Sequence, residues 1–516
     1  MKNKKSILKA RTKIEAVAVG LFLILISIMS GLATYRTITS STDTYVSFIR
    51  TSAGNYYNAT GANLQIAIDS LGGAGGTVYL PAGNITITTD ITMSSKITLQ
   101  GAGKDATTLK LGAASSTVYV IECDGINNFT ICDLSINGND GSITENYWAI
   151  GLFSCRYFNL HNIHVYNMYR AGIGFSILGV GTGCYWGHVY NIDIDDIDDS
   201  PTTQQSIAGA YVKYTTFENI HIKGDGVNAT TYYTWGMDMS GWEWVTFNDI
   251  YIQGTGGGFK TIGTCHNLTF NNLYLRNLTN NGSVPGFQMQ GMWLAGNSGN
   301  LRDCNFNNVN IEYCWRGIQI DGGGQRLNFN NINIQPNSRS KKTQAHCIYC
   351  TGDYINFNNA YLKGAISSSG SGLYLYGCDD SIFSNIKMHY CYTGLYMENC
   401  DRCTFSNMEI YYCSYGVYGK TNTYFAIADS VINDNTGNGI DLGDATACHN
   451  FSITNNILNN NGALAVNIRA DCNYFICTGN ICYPSTDELD FNAPASATRC
   501  ANVTYGCYNI GTSLWA

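Results

Sequence analysis

From about residue 130 to 410 the chain repeats one pattern: Asn or Asp, an apolar residue, any residue, and a second apolar residue. It runs Asp133-Leu134-Ser135-Ile136, Asn162-Ile163-His164-Val165, Asn191-Ile192-Asp193-Ile194 and Asn219-Ile220-His221-Ile222. It continues through Asp249, Asn272, Asn308, Asn331, Asn359 and Asn385 to Asn407-Met408-Glu409-Ile410, and a looser version persists at Asn456-Ile457-Leu458 and Asn480-Ile481. A Phe usually stands just upstream, as at Phe217, Phe247, Phe270, Phe306, Phe329, Phe357, Phe383 and Phe405. Repeat steps mostly in the twenties, with strict two-residue alternation, predict a solenoid whose repeat is made of strands. One coil cannot bury its apolar face alone, so coils stack, about 4.8 Å apart. Stacking sets Asn over Asn at one corner, where the side chains hydrogen-bond to the coils above and below. Asn also tolerates the left-handed backbone that a sharp corner needs. The Phe column fills the interior.

A second strand precedes the first in each coil. It reads Gly236-Met237-Asp238-Met239, Gly258-Phe259-Lys260-Thr261, Gly291-Met292-Trp293-Leu294 and Gly317-Ile318-Gln319-Ile320, then Cys347-Ile348-Tyr349-Cys350, Gly372-Leu373-Tyr374-Leu375, Gly394-Leu395-Tyr396-Met397, Gly416-Val417-Tyr418-Gly419 and Gly439-Ile440-Asp441-Leu442. Its outward positions are expected to form one vertical column of Tyr211, Asp238, Lys260, Trp293, Gln319, Tyr349, Tyr374, Tyr396, Tyr418, Asp441 and Asn467. A parallel column, two residues on, includes Lys213, Asp321, Tyr376, Glu398 and Lys420.

The head of the body carries a short amphipathic helix, Asn63 to Leu71. Gly75-Gly76-Thr77-Val78-Tyr79-Leu80-Pro81-Ala82-Gly83 follows, and then Leu99-Gln100-Gly101-Ala102-Gly103. This sequence of features resembles the N-terminal cap and first coils of the pectate-lyase-like superfamily of right-handed parallel β-helices, to which phage tailspikes and many secreted polysaccharide-active proteins belong. The resemblance implies an all-β, single-domain right-handed parallel β-helix over residues 55–484 with a short cap helix and about fourteen coils, a rod on the order of 70 Å long. It does not carry over an active site. The polygalacturonase set of Asn-x-Asp, paired Asp and Gly-His-Gly is represented only by Gly187-His188 followed by Val189, and the Arg-x-Pro-x-x-Arg pattern of pectate lyases is missing. The related spikes form homotrimers, although the sequence shows no trimer seam.

Composition narrows the function. The 516 residues carry a formal net charge of -8, so no basic excess exists to meet nucleic-acid phosphates. With 13% charged and 45% hydrophobic residues, the chain is too apolar for disorder. Lys2, Lys4, Lys5, Lys9, Arg11 and Lys13 precede an uncharged stretch, residues 16–33, read as an export signal, either cleaved or kept as a membrane anchor. Residues 34–54 form a linker and 485–516 a C-terminal cap or tail. The body is therefore expected outside the cell or on its surface. Asn-x-Ser/Thr sequons, from Asn58 to Asn502, fit a glycoprotein, but an Asn-rich chain makes sequons by chance.

The aromatic column suggests carbohydrate. Sugar rings stack on aromatic faces, and a column at strand spacing follows an extended glycan. Lys213, Trp293, Gln319, Tyr349, Tyr374, Tyr376, Tyr396 and Tyr418 are the binding candidates. The competing reading is that Tyr is a good exposed strand residue that stacks on itself. Insertions at 195–208, 276–290 and 335–346 would wall a groove beside the strip. The catalytic candidates are Asp238, Lys260, Asp321, Glu398 and Asp441. Glu398 and Asp441 lie two coils apart, about 10 Å, just beyond the inverting-glycosidase separation of about 6.5–9.5 Å. Lysine could instead be the base of a β-elimination from a uronic acid. His164, Asp193 and His221 share an outward column of the other sheet, as a metal site or a His–Asp pair. The acidic run Asp195, Asp196, Asp198 and Asp199 would take Ca2+ if it takes any ion; no cofactor is otherwise expected.

The many cysteines follow the coils, Cys378 under Cys400 and Cys391 under Cys413, as buried thiols or disulfides. Cys347-x-x-Cys350 and Cys400-x-x-Cys403 mimic zinc spacing, but residues three apart on a strand face opposite sides. Two functions remain in view. One is a secreted or surface-anchored lyase or glycoside hydrolase acting on an extended, uronic-acid-type polysaccharide. The other is a non-catalytic glycan-binding adhesin or a structural spike. A carboxylate pair in a cleft favours the first, and a continuous Tyr strip without one favours the second.

Overall fold

The computed structural model describes residues 47–112, 119–139, 148–168, 171–176, 183–197, 204–224, 234–278, 290–336, 345–364, 370–443, 446–469, 472–483, 488–491, 499–502 and 508–509. The apolar leader, residues 16–33, and the acidic pair Asp198 and Asp199 lie outside the described residues. No described helix is long and apolar enough to cross a membrane.

The helix α1 spans Gly61–Leu71 and closes the first coil. Thr60 caps it, its hydroxyl accepting from the Asn63 N–H at 3.2 Å, and Leu64, Ala67, Ile68 and Leu71 turn inward. Phe48–Thr51 pairs antiparallel with Tyr56–Asn58 and with Gly76–Tyr79. From there the strands pair in parallel, and the chain winds as a right-handed solenoid of about 13 turns.

One coil shows how the pattern produces the turn. Thr234–Ser240 runs along one sheet with Met237 and Met239 buried, the chain turns at Trp244 (φ 56), and Thr246–Gln253 runs along the next. Within that strand Asp249 adopts φ 54, so the strand bends; Phe247 lies inward before the bend, and Ile250 and Ile252 lie inward after it. The next coil repeats the path in register, with Met237 over Phe259, Phe247 over Phe270 and Ile250 over Leu273. The Gly heading the first strand is dictated by space. A Cβ on Gly317 would sit 2.4 Å from the Cys347 carbonyl oxygen and 2.4 Å from Ile334 Cγ2.

The two columns expected from the repeat are present. Phe247, Phe270, Phe306, Phe329 and Phe357 stack in the interior with centroids 4.5, 4.7, 4.6 and 4.2 Å apart. At the bend, Asn308, Asn331 and Asn359 adopt φ 56, 57 and 58. Asn331 Nδ2 donates to Asn308 Oδ1 at 2.9 Å, and Asn359 Nδ2 donates to Asn331 Oδ1 at 2.6 Å. Asn331→Ala should therefore cost about 1–2 kcal/mol, from lost hydrogen bonds and left-handed strain, and Asn331→Gly less, because glycine removes only the hydrogen bonds. Urea unfolding of both variants tests the ordering; equal losses would mean that backbone strain plays no part.

Towards the C-terminus the sequence reading slips by one residue. Asn455, with φ 57, holds the corner, and Asn456 turns fully inward. Its Nδ2 donates to Asn480 Oδ1 at 2.9 Å and to the Ile427 carbonyl at 3.1 Å. A buried amide satisfied from two coils thus replaces the apolar residue expected there. The cysteines from Cys123 to Cys448 are buried and unbridged. Cys400 and Cys403 both lie inward although the two are three residues apart, because Arg402 (φ 52) turns the chain between them and breaks the strand alternation; the Cys403 thiol donates to the Cys378 carbonyl at 3.2 Å.

Candidate functional site

The strands of the Gly-led sheet place Asp238 beside Lys260, Lys260 beside Trp293, Trp293 beside Gln319 and Gln319 beside Tyr349. Tyr349, Tyr374, Tyr396, Tyr418, Asp441 and Asn467 follow in register. One end of the expected column is wrong. Ala208 stands beside Asp238, in a strand Gln204–Ala210 that sequence reading took for an insertion. Tyr211 and Lys213 fall past this strand. Lys213 lies on the short neighbouring edge, where it pairs with Glu243 at 2.8 Å, and it takes no part in the strip.

The tyrosines do not present flat faces. Tyr349–Tyr374, Tyr374–Tyr396 and Tyr396–Tyr418 stack at 5.2, 4.5 and 5.5 Å with interplanar angles of 11°, 5° and 16°. Strand spacing is also a ring-stacking distance, so each ring covers the next and only edges and hydroxyls are left for solvent. Arg316 caps the stack with its guanidinium carbon 4.8 Å from the Tyr349 centroid. Burial pushes the phenols of Tyr349, Tyr374 and Tyr396 up, so all three remain donors.

Beside the stack opens a pocket of about 410 Å³ lined by His346, Ser371, Tyr374, Tyr392, Thr393, Tyr396, Tyr415 and Tyr418. His346 is 3% exposed, and its Nδ1 accepts from the Ser371 N–H at 3.1 Å. Burial, and then the Arg316 charge, push it down to about 3, so it is a neutral imidazole carrying its proton on Nε2. Tyr392 is 41% exposed and offers an open ring face or edge at the rim.

The carboxylates are each engaged separately. Asp238 accepts from Gln205 Nε2 at 2.8 Å and lies 3.5 Å from Lys260 Nζ; burial raises its pKa against the pull of Lys260. Lys260 in turn lies 5.8 Å from the Trp235 centroid and 5.5 Å from that of Trp293. Asp321 accepts from Trp293 Nε1 at 2.7 Å and Gln319 Nε2 at 2.9 Å. Glu398 accepts from the Tyr396 hydroxyl at 2.8 Å and from Lys420 at 3.1 Å. Asp441, 3% exposed, is closed in by Asn438 Nδ2 at 2.9 Å, Asn467 Nδ2 at 3.0 Å and Arg469 Nη2 at 3.0 Å. By register, three coils separate Asp238 from Asp321 and Asp321 from Glu398, and two separate Glu398 from Asp441.

Comparison with known proteins places this geometry. Residues 316–481 match the family described as a right handed beta helix region, and residues 54–145 match the one described as rhamnogalacturonase A/epimerase, pectate lyase-like. These matches and the stacked coils support a right-handed parallel β-helix of the pectin-lyase-like superfamily. Similar solved structures include the Azotobacter vinelandii mannuronan C-5 epimerase AlgE4 A-module (14% identity, 86% of this chain, 95% of that one, TM-score 0.30). Others are a tailspike protein of E. coli bacteriophage HK620 in complex with a pentasaccharide (13%, 90%, 84%, 0.40) and the N-terminal fragment of bacteriophage phi29 gene product 12 (10%, 88%, 94%, 0.47). No curated protein matches the sequence.

In this pectin-lyase-like β-helix the residue just before each Gly-led strand head forms a third outward column that sequence reading missed. Gln205 stands beside Trp235 and Gln290 beside Arg316; Ser371, Thr393 and Tyr415 follow one another, with His346 at the equivalent place before Cys347. Of these, His346, Ser371, Thr393 and Tyr415 wall the pocket and Arg316 caps the stack. Its sequence signal lies one position upstream of the glycine that heads most of these strands.

The expected metal column of the other sheet is in register, His164 beside Asp193 and Asp193 beside His221, but the three do not converge. His164 turns to Asp195 at 3.1 Å, while Asp193 is taken by Lys104 and, at 3.4 Å, His221. A lysine ammonium occupies the place a cation would need. Tyr376, 44% exposed, flanks Glu398 on the adjacent strand and is available to a ligand at the edge of the strip.

Proposed function

We propose that this β-helix protein binds an extended glycan along the tyrosine face, at or beyond the cell surface, and retains it without cleaving it. The pocket beside the stack carries the reading. Its lining offers phenol, hydroxyl and imidazole groups, which match the hydroxyl-rich surface of a sugar, and Tyr392 at the rim offers ring surface for a sugar's C–H groups. The four candidate carboxylates argue against hydrolysis, because each is occupied by its own donors and stands at least two coils from the next. The match of residues 54–145 to a rhamnogalacturonase/epimerase family supports a polysaccharide as the ligand class.

A panel of neutral and uronic-acid polysaccharides tests this by affinity electrophoresis. At least one should retard the protein, and Tyr392→Ala and Tyr415→Ala should each weaken that retention about tenfold or more. No retention by any polysaccharide would refute the proposal. A second reading, cleavage, has one observation in its favour: buried Asp238, with its raised pKa, next to Lys260. Reducing ends or unsaturated uronides appearing with the wild type and disappearing with Asp238→Asn would select it.

A further inference from the structure

Away from the tyrosine face, three parallel strands, Asn127–Asn137, Arg156–Met168 and His188–Ile197, place Cys132, His161 and Tyr190 side by side on consecutive coils. Asp133 follows Cys132 at the corner, with φ 58. The Cys132 thiol, an Asp133 carboxylate oxygen and a His161 ring nitrogen all lie within 4.8 Å of one another. Cys132 is buried and the other two are half-buried.

The surroundings hold these groups in place. The His161 ring stacks on Tyr190 at 4.7 Å and 9°, which fixes its plane. Its Nδ1 is sealed from solvent and has no hydrogen-bond partner among the described residues. Asp133 is oriented by Gln100 Nε2, donating to Oδ2 at 3.0 Å, and by Asn162 Nδ2, donating to Oδ1 at 2.9 Å. Partners of this kind aim ligands in metal sites. Among the described residues no lysine pairs with Asp133, in contrast to Asp193, which Lys104 neutralises.

We propose that Cys132, Asp133 and His161 form a binding site for a borderline-soft divalent cation, with Zn2+ the preferred occupant. Thiolate, imidazole and carboxylate are the donor types zinc takes, at about 2.3, 2.0 and 2.0 Å. Tetrahedral bonds of that length put the donor atoms about 3.5 Å apart, so the side chains need to close by about an ångström. On binding, Cys132 releases its thiol proton to solvent as the sulfur–metal bond forms; the carboxylate and imidazole each add a lone pair, and nothing is oxidised or reduced. The fourth position is left for water. The site ties the strand Asn127–Asn137 to Arg156–Met168, so its first effect is to clamp the early coils.

The test uses the full chain, stripped with a chelator and titrated with Co2+ and then Zn2+. Co2+ should bind one to one with a near-ultraviolet thiolate-to-cobalt absorption band, Zn2+ should displace it, and Zn2+ should raise the thermal midpoint. Cys132→Ser should abolish the band. His161→Gln, which keeps a planar group beside Tyr190, should weaken Zn2+ by at least the about 10- to 100-fold that loss of a supporting partner costs. Absence of the band in the wild type overturns the proposal, as does a band that persists in Cys132→Ser, which would place the ion on another cysteine. Circular dichroism of each variant separates lost binding from lost folding.

Discussion

Phe329→Ala is expected to destabilise the protein by about 3–5 kcal/mol, the cost of removing a fully buried aromatic ring from a core. The residue sits mid-column, 4.6 Å from Phe306 and 4.2 Å from Phe357, and is fully buried. Deleting its ring leaves both neighbours facing a void too regular to collapse, because the coils above and below are fixed by backbone pairing: Asn328, Phe329 and Asn330 are in register with Asn305, Phe306 and Asn307 on one side and Asn356, Phe357 and Asn358 on the other. Phe329→Leu should recover more than half of the loss. Denaturant unfolding followed by far-ultraviolet circular dichroism checks both. A loss below about 1 kcal/mol for the alanine variant, less than a typical core truncation, would mean the column does not carry the interior.

The second large effect is on pH. Unfolded, His346 titrates near its ordinary 6.5; folded, burial and then the Arg316 charge hold it at about 3. Between those values the unfolded chain takes up a proton that the fold refuses. Stability is therefore unaffected by this group above about pH 6.5 and falls as the pH drops from there towards 3, by on the order of a few kcal/mol in all. In His346→Asn the amide oxygen can still accept from the Ser371 N–H, while the titration is gone. The variant should be no more stable than the wild type at pH 7 and more stable at pH 4. Parallel pH–stability curves for the two proteins would show that His346 is not the group responsible.

The fold was legible because its signal repeats. Every coil restates Asn-apolar-x-apolar, so stacking followed from the alternation, and both the Phe and Asn columns fall where the pattern put them. Register errors arose where the repeat was interrupted or loosened. The insertion before Tyr211 contains the strand Gln204–Ala210, which displaced Tyr211 and Lys213 from the column. Asn456 and Asn455 exchanged roles because the chain there offers two adjacent asparagines, and alternation cannot tell which takes the left-handed turn.

The site was less legible, for reasons of geometry beyond register. The sequence could align Tyr349, Tyr374, Tyr396 and Tyr418, but not reveal that strand spacing turns the rings onto one another and leaves their edges outward. Nor could it show that Asp441 would be enclosed by Arg469 and two asparagines, or that Lys104, eighty-nine residues before Asp193, would reach its carboxylate. Side-chain partners brought from distant coils decide which carboxylates stay open, and a repeat motif carries no record of them.

The tyrosine stack gains one ring with every turn of the chain from Tyr349 to Tyr418. The winding thus works as a ruler: duplicating or excising a whole coil there would lengthen or shorten the row of phenols by one step without altering the chemistry at any step. If a glycan lies along it as proposed, the span contacted is a matter of how many turns the gene encodes, a quantity that recombination between like repeats can change in a single event.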